Sequence, residues 1–341
     1  MKQLAIVVLN WNGENPLKKY LPTLIEKSKG ENIRLIVADN GSDDSSLSLL
    51  ENHFPQVEII KLDKNYGFAG GYNKALSKIE ADYYCLLNSD VRVSNHWIKP
   101  AIACLEMHPD IAAIQPKIRS DRNPDFFEHA GAAGGFIDQY GYPFCRGRIM
   151  DNIEKDHGQY NEGGDIFWAS GACLFIRSEY FWAAGGFDSD FFAHMEEIDL
   201  CWRLKNMGYR ISYCPESTVF HWGGATLDYE NPRKLFLNFR NSLWCLYKNY
   251  TGKRLAWTMF IRMLIDTAAI AKFTLTFDFK NAFAIIRAHI AYYQSLSELR
   301  KKRQKNQATV KQTKHHSQYR GSIVISYFLG KKKEFSLLNI K

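Results

Sequence analysis

Tyr83-Tyr84-Cys85-Leu86-Leu87-Asn88-Ser89-Asp90 is a run of five mostly apolar residues that ends in a polar Asn-Ser-Asp turn and continues into Val91-Arg92-Val93. Such a run predicts a strand buried on both faces of an α/β sheet. Ligands of open α/β sheets sit outside the carboxyl ends of the strands, so Asp90 stands where a ligand would. Two readings are open for it. A hard divalent cation that carries a diphosphate needs only one or two carboxylates, because phosphate and water fill its other positions. Alternatively Asp90 caps the turn before the next element.

Upstream, Leu4-Ala5-Ile6-Val7-Val8-Leu9 predicts a first strand with Asn10-Trp11-Asn12-Gly13 as its turn. Pro16 suits the first turn of a helix that places Leu17, Tyr20, Leu21 and Leu24 on one face, with Pro22 as a point of bending. Ile33 to Ala38 predicts a second strand that runs into Asp39-Asn40-Gly41-Ser42-Asp43, and Val57 to Lys61 a third. This alternation implies a mainly parallel sheet flanked by helices. Asp39 is thus a second acidic strand end, a place suited to the polar edge of a nucleotide or its ribose. In Asn65-Tyr66-Gly67-Phe68-Ala69-Gly70-Gly71 the glycines open a helix whose free N–H groups favour anions. It is neither GxGxxG nor GxxxxGK[ST].

Downstream, residues 116–164 are rich in Gly, Asp and aromatics without periodicity, and predict loops and short hairpins beside a site. Trp168-Ala169-Ser170-Gly171-Ala172-Cys173 then leads to His194-Met195-Glu196-Glu197-Ile198-Asp199-Leu200-Cys201-Trp202-Arg203. Wound as a helix, this segment sets Glu196, Asp199 and Arg203 on one polar stripe. Glu197 shares a face with Leu200, Cys201 and Leu204. A carboxylate on an apolar face is costly without a partner or a task, and the helix N-terminus eases that cost. The task it suits is general-base catalysis; the competing account is an ion pair with Arg203 or a helix cap. Tyr209 to Tyr213 predicts a strand, with Pro215 opening a loop to Val219-Phe220-His221-Trp222-Gly223-Gly224. A lone His beside aromatics, as His221 is, reads as a packed core histidine.

The net charge of +8 is unevenly placed. Arg300 to Lys341 holds 12 Lys and Arg against the single acid Glu334, a surplus of +11 that leaves the first 299 residues at −3. A basic tail meets phosphate, at an anionic membrane surface or a nucleic acid; a solvated tail is the plainer account. Seven scattered cysteines without CxxC suggest a reducing compartment and no zinc site. Met1-Lys2-Gln3 runs straight into a strand without a cleavage signature, which points to a cytoplasmic protein. Leu235 to Leu246 predicts an amphipathic helix. Leu255 to Phe277 is apolar but interrupted by Arg262, Asp266 and Lys272, so a helix in the membrane interface or a cap on the protein's own core fits better than a span.

In order and spacing, Val8-Leu9-Asn10-Trp11-Asn12, Asp39-Asn40-Gly41-Ser42-Asp43, Asn65 to Gly71 and Asn88-Ser89-Asp90 resemble family 2 glycosyltransferases, closest to their rhamnosyltransferase-like branch. The resemblance spans about residue 3 to about residue 247. It implies a GT-A fold and the inverting transfer of a hexose from a nucleotide diphosphate to a saccharide or lipid-linked acceptor. It places the nucleotide sugar at Asn10, Asn12, Asp39, Asn40, Gly67, Gly70 and Asn88. Asp90 and His221 would hold a divalent cation, Mg²⁺ or Mn²⁺; Glu196, Asp199 and Trp168 would meet the acceptor. Glu197 falls where the family's second acid, usually Asp, is read as the base. The expected division is a catalytic domain over residues 1–228, its nucleotide-sugar half about 1–115 and its acceptor half about 116–228. A helical region over 229–300 and a basic tail over 301–341 follow. The expected setting is the inner face of a membrane, in surface-polysaccharide synthesis, with no nucleic acid as partner. A sugar-phosphate nucleotidyltransferase would want an Arg-containing Gly-rich loop where Asn10-Trp11-Asn12-Gly13 stands. A non-enzymatic adaptor would leave the acidic strand and helix ends unexplained.

Overall fold

The computed structural model describes residues 2–223 and 231–340. The expected boundary at 228/229 and Gly224 lie outside the described residues. Strands and helices alternate from the start: β1 (Leu4–Asn10), α1 (Glu14–Lys27), β2 (Ile33–Asp39), α2 (Ser46–His53), β3 (Glu58–Lys61), α3 (Gly67–Leu76) and β4 (Tyr83–Asn88). After β5 (Val91–Val93), α4 (Ile98–Met107) and β6 (Ile111–Ser120) comes a run of short strands, β7 (Gly135–Asp138), β8 (Pro143–Cys145), β9 (Arg148–Ile149), β10 (Asn152–Ile153) and β11 (Gly164–Ile166). The chain returns through β12 (Cys173–Arg177), α5 (Ser178–Ala183), α6 (Glu196–Asn206) and β13 (Arg210–His221). It closes with α7 (Pro232–Asn249), α8 (Leu255–Leu275), α9 (Phe279–Gln294), α10 (Leu296–Gln307), β14 (Gln318–Tyr319) and α11 (Ile323–Phe328).

The main sheet has the order β11-β13-β6-β12-β4-β1-β2-β3, with β5 added beside β13. β1 lies parallel to both β2 and β4, whereas β12 runs antiparallel between β4 and β6. From β1 the chain winds outward through β2 and β3, then returns to β1's other side as β4. That reversal is a topological switch point, the place where α/β sheets bind ligands. Register aligns the strand ends there: Asn10 is opposite Asp39, and Leu9 is opposite Asn88.

Alternation along β1 serves both faces. Ala5 and Val7 enter the core under α3 and α6, and Leu4, Ile6 and Val8 the core under α1 and α4. On α1, Leu17, Tyr20, Leu21 and Leu24 are buried as their spacing predicts, and Pro22 stays within the helix. Pro215 does not end a strand. β13 runs through it, with a register irregularity between Cys214 and Thr218 that accommodates a residue without an N–H.

The basic tail is largely folded. Lys302 on α10 reaches Asp188 and Asp190 at 2.6 Å each. β14 adds to the small sheet beside β7, and the Ile323 N–H donates to Asp138 Oδ2 at 2.9 Å. Phe335 packs its ring 4.7 Å from that of Phe136. The short apolar run Ile323-Val324-Ile325 suggests a small docked element in the sequence, but its place could not be read there because its companions, Phe335 and Leu338, are few and widely spaced. Among the described residues no helix is long and apolar enough to cross a membrane.

Candidate active site

Asp90 follows β4 in a tight turn, and β13 is brought to it by pairing with β5, His221 opposite Val91. The Trp222 N–H donates to the Asp90 carbonyl at 3.0 Å and locks the approach. His221 Nε2 then lies 3.2 Å from Asp90 Oδ1, and its Nδ1 lies 3.2 Å from Glu128 Oε2. Asn88 Nδ2 is 3.4 Å from the same Nε2. All three charged residues are buried. Burial alone would lower the imidazole pKa, but Glu128 and then Asp90 outweigh it and hold His221 up at about 10. Burial likewise pushes Glu128 up, and His221 more than reverses that.

Glu128 escaped the sequence reading. It sits in the aperiodic stretch after β6, and only the fold brings it to His221. There the Glu128 N–H donates to the Ile118 carbonyl at 3.1 Å. No local pattern announces such a contact.

The donor set suits a cation that arrives with a diphosphate. Asp90 offers a carboxylate oxygen, and His221 would offer a ring nitrogen on giving up the proton that Asp90 and Glu128 hold on it, as metal binding releases protons from its ligands; Glu128 faces the other ring nitrogen, as carboxylates orient metal-binding histidines. Among the described residues no group of three or more His, Cys, Asp or Glu is placed to hold an ion by itself. The remaining positions would fall to phosphate and water, which a nucleotide-carrying cation allows.

At the ends of β1 and β2 the expected nucleotide residues are mostly bonded to one another. Asn10 Nδ2 donates to Asp39 Oδ2 at 3.1 Å and to Ser42 Oγ at 3.2 Å, and Asp39 Oδ1 accepts from the Ser42 N–H at 2.9 Å. Asn10, Asp39 and Asn40 are buried, and Asn10 Oδ1 is left without a partner. Asn40 Nδ2 donates to Asn65 Oδ1 and to the Gly67 carbonyl, so it fastens the loop that opens α3. Asn12 is exposed and pairs reciprocally with Asp43. Gly67 has φ +71°, and a Cβ there would lie 2.5 Å from the Phe192 carbonyl. The glycine is demanded by the chain packed on it, not by an open approach; Gly70 likewise faces Tyr66 and Ser189.

The second group of acids stands at the start of α6. Glu196 is buried and Glu197 half-buried, yet among the described residues Oε2 of each has neither solvent nor a hydrogen-bond partner. Burial, then the charge of Glu197, pushes Glu196 well above the carboxylate range. Burial raises Glu197 to about 7, against the pull of the N–H groups of Glu197, Ile198 and Gly171. A carboxyl with a pKa near 7 exchanges its proton at neutral pH, the property a general base needs, and its neighbour Glu196 is shifted in the same direction. The face carrying Leu200 and Leu204 is fully buried, each side chain contributing about 1.5–3 kcal/mol. That burial fixes the helix and with it the carboxyl.

Asp199 and Trp168 do not reach an acceptor face. Asp199 is fully buried; its carboxylate meets Arg203 at 2.9 Å, Lys248 at 3.0 Å and Asn249 at 2.7 Å. The stripe of Glu196, Asp199 and Arg203 is thus polar but internal, because α7 packs over it. Trp168 is also buried, its Nε1 donating to the Phe136 carbonyl at 2.8 Å, and its indole fills the space where a Cβ on Gly135 would be.

One short segment joins the two acidic groups. The Ala172 carbonyl accepts from the Asn88 N–H at 3.1 Å, the Gly171 N–H bears on Glu197, and Ser170 Oγ donates to the Ala130 carbonyl at 2.7 Å. Ala130 in turn donates its N–H to Glu128 at 2.5 Å. Before α6, Phe192, His194 and Met195 all have φ between 65° and 73°. Left-handed non-glycine residues cost on the order of 1–3 kcal/mol each and cluster at functional sites. Asn241 of α7 holds them, donating from Nδ2 to the carbonyls of Phe191, Ala193 and His194.

Residues 5–185 match the profile of glycosyl transferase family 2. The chain belongs to this family. It is a nucleotide-sugar-dependent glycosyltransferase of GT-A fold, and its relatives include rhamnosyltransferases. The N-acetylglucosaminyl-diphospho-decaprenol L-rhamnosyltransferase of Mycobacterium tuberculosis is 24% identical over 236 residues, 64% of this chain and 75% of the relative. The dTDP-rhamnosyl transferase RfbF of Shigella flexneri is 23% identical over 290 residues, 81% of this chain and 90% of the relative. Among solved structures, Staphylococcus aureus TarS 1-349 superimposes with a TM-score of 0.56 at 15% identity, over 99% of this chain and 95% of its own. GalNAc-T7 with UDP, GalNAc and Mn²⁺ gives 0.62 at 13% identity over all of this glycosyltransferase, which spans 58% of that chain. At these identities the structures speak for the fold. Neither the nucleotidyltransferase nor the adaptor reading gains an observation.

Proposed function

We propose that this glycosyltransferase moves rhamnose or a similar hexose, with inversion, from a nucleotide diphosphate to a saccharide or lipid-linked acceptor, in surface-polysaccharide synthesis at the inner face of a membrane. The observation that carries the reading is a carboxyl of near-neutral pKa at the start of α6 with no cation beside it among the described residues, joined through Ser170-Gly171-Ala172 to a strand-end Asp-His pair. The names of the relatives support the sugar, a dTDP donor and a polyprenyl-diphosphate acceptor.

Glu197 accepts the proton of the acceptor hydroxyl as that oxygen forms its bond to the anomeric carbon. The bond from that carbon to the diphosphate oxygen breaks on the opposite face, its electron pair leaving with the nucleotide diphosphate. Glu196, beside it at the start of α6, orients the acceptor. Asp90 and His221 would hold a divalent cation that neutralises the diphosphate as leaving group. Glu128 keeps the imidazole oriented. Asn10, Asp39 and Asn40 shape the loops that receive the nucleotide, and Asn12 and Asn88 present polar groups at their edge.

A thermal-shift screen of dTDP-, UDP- and GDP-sugars, with and without Mn²⁺ or Mg²⁺, tests the donor site, since a bound ligand raises the melting temperature. The expected result is a metal-dependent rise with a nucleotide sugar that Asp90→Ala abolishes. Unchanged donor affinity in a folded Asp90→Ala protein removes Asp90 from the site.

A further inference from the structure

The C-terminal helices carry an apolar face that the transfer chemistry does not use. On the inner side of the α8–α9 hairpin, Arg262 pairs with Asp266 at 3.0 Å, and Asp266 also meets His289 and the Tyr142 hydroxyl. Two of the charges that interrupt the run in sequence therefore point into the protein, and the outer side is left apolar. On α8, Trp257, Phe260 and Leu264 recur at helical spacing and are exposed; on α9, Phe283, Ile286 and Ile290 do the same. At the turn, Leu275 is 79% exposed and Phe277 80%. Exposed large apolar side chains gathered on one hairpin in this way mark an interaction site.

Its charges are of one sign. Between residues 253 and 293 every exposed charged residue is basic: Lys253, Arg254, Lys272, Lys280 and Arg287. The two acids of that span are engaged, Asp266 inside and Asp278 capping α9 by accepting from the Asn281 N–H. The C-terminal strap extends the face. The Phe328 ring lies 5.5 Å from the Lys272 ammonium, and exposed Leu329, Lys331 and Lys333 follow, with Glu334 as the acid beside them.

We propose that this face docks on an anionic lipid bilayer, with the α8–α9 turn as the inserted tip and the basic residues set among the headgroups. Aromatic and aliphatic side chains among lysines and arginines are what interfacial helices present to anionic lipid. A second copy of the same face would set basic residues against basic residues, which costs association energy. The proposal rests on the membrane setting given above but needs none of its chemistry, so a protein with Asp90→Ala should bind lipid as well as the wild type.

Sedimentation with phosphatidylcholine vesicles, with and without phosphatidylglycerol, tests it. The full chain is expected to sediment with the anionic vesicles at low salt and to be released as salt screens the attraction. Lys272→Glu/Lys280→Glu/Arg287→Glu should lower the partition at least about a hundredfold, since each basic residue at such a surface is worth roughly a fivefold factor. Acyl chains brominated along their length should quench tryptophan fluorescence, and Trp257→Phe should remove part of that quenching. Phe277→Ser/Phe279→Ser, at exposed positions, should weaken binding without lowering the melting temperature. Absence of sedimentation at low salt overturns the proposal, as does wild-type binding by the charge-reversal variant or quenching unchanged in Trp257→Phe. A concentration-dependent dimer that the Phe277/Phe279 variant abolishes overturns it too, because the face is then a self-association surface.

Discussion

The two acidic groups of the site are built on opposite electrostatic plans. Beside the end of β4, Asp90 and Glu128 flank His221, and each of these three has a counter-charge within 3.2 Å. At the start of α6, Glu196 and Glu197 lie side by side with no cation, and burial drives both upward. The first arrangement holds charge in place. The second makes charge costly and so keeps a proton exchangeable near neutral pH. Two to three residues further along the same helix, Asp199 is buried with Arg203, Lys248 and Asn249 and is held below the carboxylate range; burial acts upward on it, and Lys248 and then Arg203 outweigh that. Burial alone thus does not separate Glu197 from Asp199; the counter-charge beside Asp199 does.

Glu197→Gln attacks this contrast most directly. It keeps volume but cannot accept a proton, so turnover should fall by a factor on the order of 10²–10⁴ with donor affinity unchanged. Single-turnover kinetics beside a donor-binding isotherm reads both. The sign of the shift gives a control. A carboxyl whose folded pKa is about 7 against 4.5 ordinarily destabilises the fold once pH rises above 4.5. The melting temperature of Glu197→Gln at pH 8 should therefore equal or exceed that of the wild type. A marked fall would show the carboxylate to be structural.

Lys248→Met probes the saturated acids. Its ammonium lies 2.5 Å from Asp188 and 3.0 Å from Asp199, so its loss removes the cation the two carboxylates share and leaves Lys302 to the first and Arg203 to the second. Denaturant unfolding should lose roughly 3–5 kcal/mol at neutral pH. Because both acids are depressed, that stabilisation is present above the unfolded pKa of about 3.9 and fades as pH falls below it, so the gap between the two proteins should narrow in acid. A loss under about 1 kcal/mol would make the network incidental.

The strand ends were legible because an apolar run that stops at a carboxylate is a local signal, and Asn10, Asp39, Asn88 and Asp90 lie where such runs stop. Glu197 was legible because helical spacing put it on a face with Leu200 and Leu204. Periodicity says which face is buried, not what arrives to meet it. Asp199 read as part of an open stripe because Lys248 comes from 49 residues away, on a helix whose packing over α6 leaves no mark in either sequence. Trp168 looked like a ring for an acceptor, and the space it fills is set by Gly135 on another sheet. Glu128 lay in a stretch without period. Arg262 and Asp266 read simply as interruptions of an apolar run, and only the fold shows that they turn inward and leave the outer side of α8 apolar.

The pH dependence of turnover in Glu196→Gln and Glu197→Gln, set against the wild type, tests the assignment of the base most directly. The account predicts that wild-type turnover rises with pH through about 7 and levels off above, as Glu197 ionises. That limb should persist in Glu196→Gln, and should vanish in Glu197→Gln together with most of the rate. A limb that survives in Glu197→Gln and disappears in Glu196→Gln would contradict it and exchange the roles of the two acids.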